Sequence, residues 1–278
     1  MAGFEIRFRS KVLSRPVKAY ACIPADGLGG KVPEGGYKTL VLLHGMSGGY
    51  EDWARNSQME MLAEENGIAV LCPDGMNSHY SDWEFGIQFQ TFLQTEFLPF
   101  MRKTLPLSTR REDTFVGGLS MGGYGATKWA FTYPETFSHV ISFSGGLDIE
   151  PRLKFYSEGP GAQFSPNAAK EMELVFGDLT EALHGKHNIY DLARQCAQSE
   201  YGLPRLYVCS GEQDIAMEQQ MKLADVYREL GGDVTESYSP GYHDFHYWAP
   251  QLEVVMTQWL PLEEERSRIS KLIAGMRL

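Results

Sequence analysis

What is scarce in this sequence excludes more than what is common. No apolar run approaches the roughly 20 residues needed to cross a bilayer as a helix. The opening stretch, Met1 to Ser10, alternates charged and apolar residues and has no long apolar core, so it does not read as a secretory leader. Cysteine is sparse: Cys22, Cys72, Cys196 and Cys209 are the four, with no C-x-x-C pair among them. Three lie in apolar runs, where a free thiol packs as a small hydrophobe. Redox and metal-site readings are therefore poor, and a reducing, cytoplasmic setting is expected. Basic residues are also in deficit. Lys and Arg total 25 against 36 Asp and Glu, a net charge of −11, which argues against nucleic acid or an anionic membrane as partner and suits a small-molecule ligand.

What is present is an ordinary globular composition, 43% hydrophobic and 22% charged over 278 residues. We expect one α/β domain. Thr39 to His44, Ile68 to Cys72, Thr114 to Val116, His139 to Ser144 and Arg205 to Ser210 read as buried strands, most of them separated by helical spacing. That alternation predicts a mostly parallel central sheet with helices on both faces. Phe4, Ile6 and Phe8 alternate with polar residues, as in a half-exposed strand, and Val17 to Ile23 reads as its antiparallel partner. Val234 to Ser239 is half-polar and belongs near an edge. Trp53 to Asn66 has the spacing of one helix. Pro99 should bend or break the helix running from Phe89 to Met101. A charged amphipathic helix is expected over Leu262 to Leu278. Residues 145–198 break the rhythm with two weak helices, Ala168 to Phe176 and Ile189 to Gln198. They read either as a cap insertion that shapes a pocket or as a plain crossover.

The most informative stretch is Gly118-Leu119-Ser120-Met121-Gly122, G-x-S-x-G set between an apolar strand and a small-residue helix. That is the strand–turn–helix context of a nucleophile elbow. The pattern occurs a second time at Gly45-Met46-Ser47-Gly48-Gly49, but no helical pattern starts there. Ser120 is therefore the candidate nucleophile and Ser47 part of a glycine loop.

A serine hydroxyl needs a base to take its proton and an acid to orient that base. Of seven histidines, His243 and His246 alone follow the last strand. His243 lies in the loop and is favoured over His246, which falls in the first turn of a helix. For the acid, Asp214 follows the strand ending at Ser210 and is preferred to Asp148. Asp244 adjoins His243 too closely in sequence to face it. The oxyanion requires two aimed backbone donors: the Met121 amide, and one from the loop after the Thr39 to His44 strand, for which Met46 is the choice. His44 then reads as a structural hydrogen-bonder. His243 with His246 could also hold an ion, but no third ligand is evident, so no metal is expected. Tyr80 and Trp83, in an aromatic loop, and Trp248 are candidate substrate contacts.

Four stretches, Leu42 to Trp53 (LLHGMSGGYEDW), Gly118 to Ala126 (GLSMGGYGA), Ser210 to Asp214 (SGEQD) and Gly241 to Trp248 (GYHDFHYW), resemble the bacterial tributyrin esterase family. It is a branch of the esterase D and S-formylglutathione hydrolase group of α/β-hydrolases. The resemblance runs from about Phe4 to Pro261. It implies nucleophile Ser120, acid Asp214, base His243 and oxyanion donors Met46 and Met121. It also implies hydrolysis of short-chain acyl esters without a cofactor, typically in the cytoplasm and often in homo-oligomers. The glutathione-thioester branch usually carries a cysteine just after the oxyanion strand. Here that stretch is Ser47-Gly48-Gly49-Tyr50, which lowers the thioesterase reading. Feruloyl and acetyl-xylan esterases share the scaffold.

Overall fold

Strands made wholly of apolar or small residues must be covered on both faces, and that requirement sets the architecture. The computed structural model describes residues 1–25, 32–164 and 167–262. Its strands are β1 (Ala2–Ser10), β2 (Arg15–Ile23), β3 (Thr39–Leu43), β4 (Ala69–Pro73), β5 (Thr114–Leu119), β6 (His139–Phe143), β7 (Arg205–Gly211) and β8 (Val234–Ser239). They form one eight-stranded sheet in the order β1-β2-β4-β3-β5-β6-β7-β8. β1 and β2 are antiparallel to their neighbours, and every pairing from β4 through β8 is parallel. All residues of β3, β4, β5 and β6 are buried. β8 is half-buried throughout and lies at the edge, as its polar content predicts.

Alternation within the strands sorts side chains to two faces. Val41, Leu43, Val116 and Val140 meet Tyr124 and Trp129 of the helix Met121–Thr132 and Leu223 of the helix Met217–Glu229. Leu40, Leu42, Phe115 and Ile141 meet Trp53, Leu62, Leu252 and Met256 on the other face. The chain leaves β3 for β4 on one side and returns to β5 on the other. The carboxyl ends of β3 and β5 therefore flank a topological switch point, where doubly wound sheets leave a crevice.

Departures from expectation have local causes. Trp53 to Asn66 is two helices, Asp52–Asn56 and Met59–Glu65, with Ser57 extended between them. The Asn56 and Ser57 side chains donate back to the carbonyls of Asp52 and Trp53, which competes with helix continuation. Pro99 leaves its helix continuous but not regular: a π-turn, Leu93–Phe97, joins Phe89–Phe92 to Leu98–Thr104 with helical dihedrals at each junction, and Pro99 sits in the first turn of the last segment. Residues 145–198 hold more helix than two weak segments. Ile149–Ser157, Gly161–Phe164 and Leu179–Ala182 accompany Ala168–Phe176 and Ile189–Ala197. Asn188 caps the last of these by accepting from the Tyr190 and Asp191 amides. The amphipathic helix expected beyond Leu262 lies outside the described residues.

Candidate active site

Ser120 follows β5 with φ 54° and ψ −116°, a conformation a non-glycine residue adopts only when its surroundings impose it. Two glycines make the imposition feasible. A Cβ on Gly118 would lie 2.3 Å from the Gly122 carbonyl oxygen, and one on Gly122 would lie 2.3 Å from the Leu43 carbonyl oxygen. The backbone is then fastened. The Ser120 N–H donates to Phe143 O at 2.9 Å, and its carbonyl accepts from Gly123, Tyr124 and Gly146. The hydroxyl is left free to point away from the sheet, at the N-terminus of Met121–Thr132.

The loops after β7 and β8 are pressed together. A Cβ on Gly211 would meet the Gly241 carbonyl oxygen at 2.2 Å, and Gln213 exchanges hydrogen bonds with Gly241 through its backbone N–H and its side-chain oxygen. This apposition brings Asp214 and His243 together. The His243 Nδ1 lies 2.9 Å from each Asp214 carboxylate oxygen, and its Nε2 lies 2.9 Å from Ser120 Oγ. An Nδ1–H donating to the carboxylate leaves Nε2 to accept the serine proton. The Asp214 side chain is fully buried. Burial alone would raise its pKa, but bonds from His243, the Ala216 amide and Ser144 outweigh that and hold it below the usual carboxylate value.

The competing candidates are engaged elsewhere. Asp244 caps the helix Phe245–Val254 by accepting from the His246 and Tyr247 amides. His246 is exposed. Asp148 pairs with Lys222 at 3.1 Å.

The loop after β3 lies against the elbow: a Cβ on Gly45 would stand 3.5 Å from the Ser120 Cβ. His44 fixes this loop. Its Nε2 accepts from the Gly75 N–H at 2.7 Å, so its Nδ1–H donates to Gly45 O, also at 2.7 Å. Burial lowers the His44 pKa and keeps the ring neutral, consistent with a structural part. Among the described residues, the Met46 and Met121 amides have no acceptor within the chain; Met121 follows the serine and Met46 follows Gly45 in the loop against it.

The aromatic candidates need correction. Tyr80 is fully buried, wedged against Gly75 and Gly125, with its hydroxyl donating to His44 O at 3.0 Å; it braces the loop and faces no substrate. Trp248 is buried and presents its ring at right angles to His243, centroids 4.9 Å apart, while its indole N–H donates to Ser144 Oγ. It packs edge-on against the imidazole. Trp83 is half-buried and donates to Ser78 O at 3.3 Å. Sequence reasoning missed Ser144, which ties Trp248 and Asp214 into one network; its left-handed φ of 47° leaves no mark in the sequence.

Among the described residues, no group of three or more His, Cys, Asp or Glu side chains is placed to hold a metal ion, and no helix is long and apolar enough to cross a membrane.

Comparison with known proteins gives the family. Residues 10–258 match the Esterase family model, described as "Putative esterase". An acetyl esterase of Caldicellulosiruptor saccharolyticus is 32% identical over 253 residues, covering 89% of this chain and 94% of its own. An S-formylglutathione hydrolase of Paracoccus denitrificans is 26% identical over 160 residues, 50% of this chain and 55% of its own. Among solved structures, the fluorophosphonate-binding serine hydrolase FphF of Staphylococcus aureus aligns with a TM-score of 0.81 over 93% of this chain and 98% of its own; at 23% identity that likeness is one of fold. The chain belongs to the Esterase family, in the company of the esterase D-like enzymes, and is a carboxylic ester hydrolase on the α/β-hydrolase fold.

Proposed function

We propose that the protein is a serine carboxylesterase acting on small esters with short acyl chains. Ser120 Oγ attacks the ester carbonyl as His243 Nε2 takes its proton. Asp214 keeps the proton on Nδ1 and stabilises the imidazolium. The Met46 and Met121 amides receive the oxyanion. His243 returns the proton to the departing alcohol, leaving an acyl-Ser120. A water deprotonated by His243 then releases the acid. No cofactor or metal enters these steps. The reading rests on one observation above the rest: a single imidazole lies 2.9 Å from the hydroxyl on one side and 2.9 Å from a buried carboxylate on the other. The same proposal takes the chain as one domain in which residues 145–198 form a cap that limits acyl length.

Rates across acetyl, butyryl, octanoyl and feruloyl esters of one alcohol test the substrate class. kcat/KM should be highest at acetyl or butyryl and at least about tenfold lower at octanoyl, since a closed pocket discriminates by roughly that factor or more for added methylenes. S-formylglutathione should be hydrolysed more slowly than 4-nitrophenyl acetate. An optimum at octanoyl or feruloyl would overturn the short-chain assignment, and a faster thioester rate would move the protein to the thioesterase branch.

A further inference from the structure

Behind the first turn of the nucleophile helix lies a cation that ester hydrolysis by the triad does not use. Arg152, on the helix Ile149–Ser157, is only 9% exposed. Its guanidinium lies over the Tyr124 ring at 4.6 Å and the Phe176 ring at 5.5 Å, and Nη1 donates to His79 Nδ1 at 3.0 Å. Nε and Nη2 are buried and, among the described residues, have no partner. These two atoms form the long edge of the guanidinium, the edge that grips both oxygens of a carboxylate.

A second basic side chain lies beside it. Lys128 is 3% exposed, and its Nζ sits 5.7 Å from the centroid of the same Tyr124 ring. It donates to Ser81 Oγ at 2.8 Å and to His187 Nδ1 at 3.0 Å, both neutral acceptors. Burial pushes the Lys128 pKa down to about 7 and holds those of His79 and His187 well below the ordinary histidine value. Asp82, which accepts from Thr91, and Asp148, which pairs with Lys222, act on these cations only from a distance, and among the described residues neither forms an ion pair with Arg152 or Lys128. A buried cation without a counter-ion is costly, and an arriving anion relieves that cost.

This pocket of charge lies next to the backbone of the candidate nucleophile. The Gly146 amide donates to the Ser120 carbonyl at 3.1 Å, and a Cβ on Gly146 would stand 3.4 Å from Arg152 Cδ and 4.0 Å from its Nε. The long edge is closed to solvent, so occupancy by a carboxylate requires the Arg152 helix to shift. A cavity of about 340 Å³ borders the first turn of that helix, lined by Asp148, Ile149, Glu150 and Pro151 together with Leu183 and His187.

We propose that Arg152 is the receptor for a carboxylate carried by the ester, so that the enzyme selects acidic esters over neutral ones. The inference rests on the serine esterase reading above. It places the Nε–H and Nη2–H donors on the two carboxylate oxygens while the substrate carbonyl is presented to Ser120.

The test compares matched esters by pH-stat. Monomethyl glutarate against methyl pentanoate puts the charge on the acyl side; 4-acetoxybutanoate against butyl acetate puts it on the alcohol side. In the wild type, the charged member of one pair should have the higher kcat/KM, and the favoured pair tells which side carries the acid. Arg152→Gln should lower the charged-to-neutral ratio about 10- to 100-fold, the worth of charge-assisted hydrogen bonds. Arg152→Lys, which keeps the charge but loses the paired edge, should recover only part of it. A wild-type ratio below one for both pairs would overturn the proposal. So would a ratio unmoved by Arg152→Gln, or charged and neutral rates falling together, which would leave Arg152 only a helix anchor. Failure of the underlying reading looks different: neither pair would be hydrolysed, or Ser120→Ala would stay active. In that event thermal protection by glutarate, present in the wild type and lost in Arg152→Gln, still reads the receptor, and absence of protection refutes it.

Discussion

Ser120→Ala is expected to lower kcat on 4-nitrophenyl acetate by about 10⁶-fold, with the melting temperature close to that of the wild type. The size follows from how nucleophile loss behaves in triad enzymes, where the remaining parts act only on a bound water. The stability expectation follows from the backbone. The bonds holding residue 120 run through its N–H and carbonyl, to Phe143, Gly123, Tyr124 and Gly146, and survive removal of the hydroxyl. Alanine must still adopt φ 54°, but the two glycines that accommodate the turn are untouched. Steady-state rates on purified variant, with thermal melts alongside, check both parts. A variant that keeps a tenth of the wild-type rate would exclude Ser120 as the nucleophile.

Asp214→Asn should cost about 10⁴-fold in kcat. The carboxylate can only accept, so it fixes the proton on His243 Nδ1. An amide can instead offer its own N–H to Nδ1, which moves the ring proton to Nε2 and turns the base into a donor facing Ser120. The same substitution alters how stability depends on pH. The folded Asp214 carboxyl titrates below its ordinary value. Its charged form therefore contributes stability that is fully present above the unfolded carboxylate pKa, about 4, and lost as pH falls through the lower folded value. The melting-temperature gap between wild type and variant should be widest at neutral pH and shrink below about pH 4. A gap that widens on acidification would mean that the folded carboxyl is not held in its charged form.

The site was more legible in the sequence than the scaffold details around it. Gly118, Ser120 and Gly122 could be read because an elbow needs specific residue types at specific places: a Cβ added at either glycine would lie 2.3 Å from a backbone carbonyl oxygen, which forbids any side chain there. His243 and Asp214 could be ranked because the order of strands fixes which loops end beside the nucleophile. Tyr80 could not be placed, since an aromatic in a polar loop looks the same whether it lines a crevice or fills the space above Gly75 and Gly125. The break at Ser57 depends on two side chains turning back onto helix carbonyls, a choice that hydrophobic spacing does not record. The packing of the Trp248 ring on the imidazole has no local signal either, because Ser144, far away in sequence, holds its indole N–H. Arg152 passed unnoticed because arginines in a charged, irregular segment are ordinarily solvated. Its burial arises from tertiary packing between Tyr124 and Phe176.

The central claim is that one hydroxyl, Ser120, is made reactive by His243. Labelling with a fluorophosphonate, followed by intact mass and peptide mapping, tests it most directly. One adduct per chain is predicted, on Ser120, absent from Ser120→Ala and greatly slowed in His243→Ala. An adduct on Ser47 in the other glycine motif, or labelling of Ser120 at an undiminished rate without His243, would contradict it.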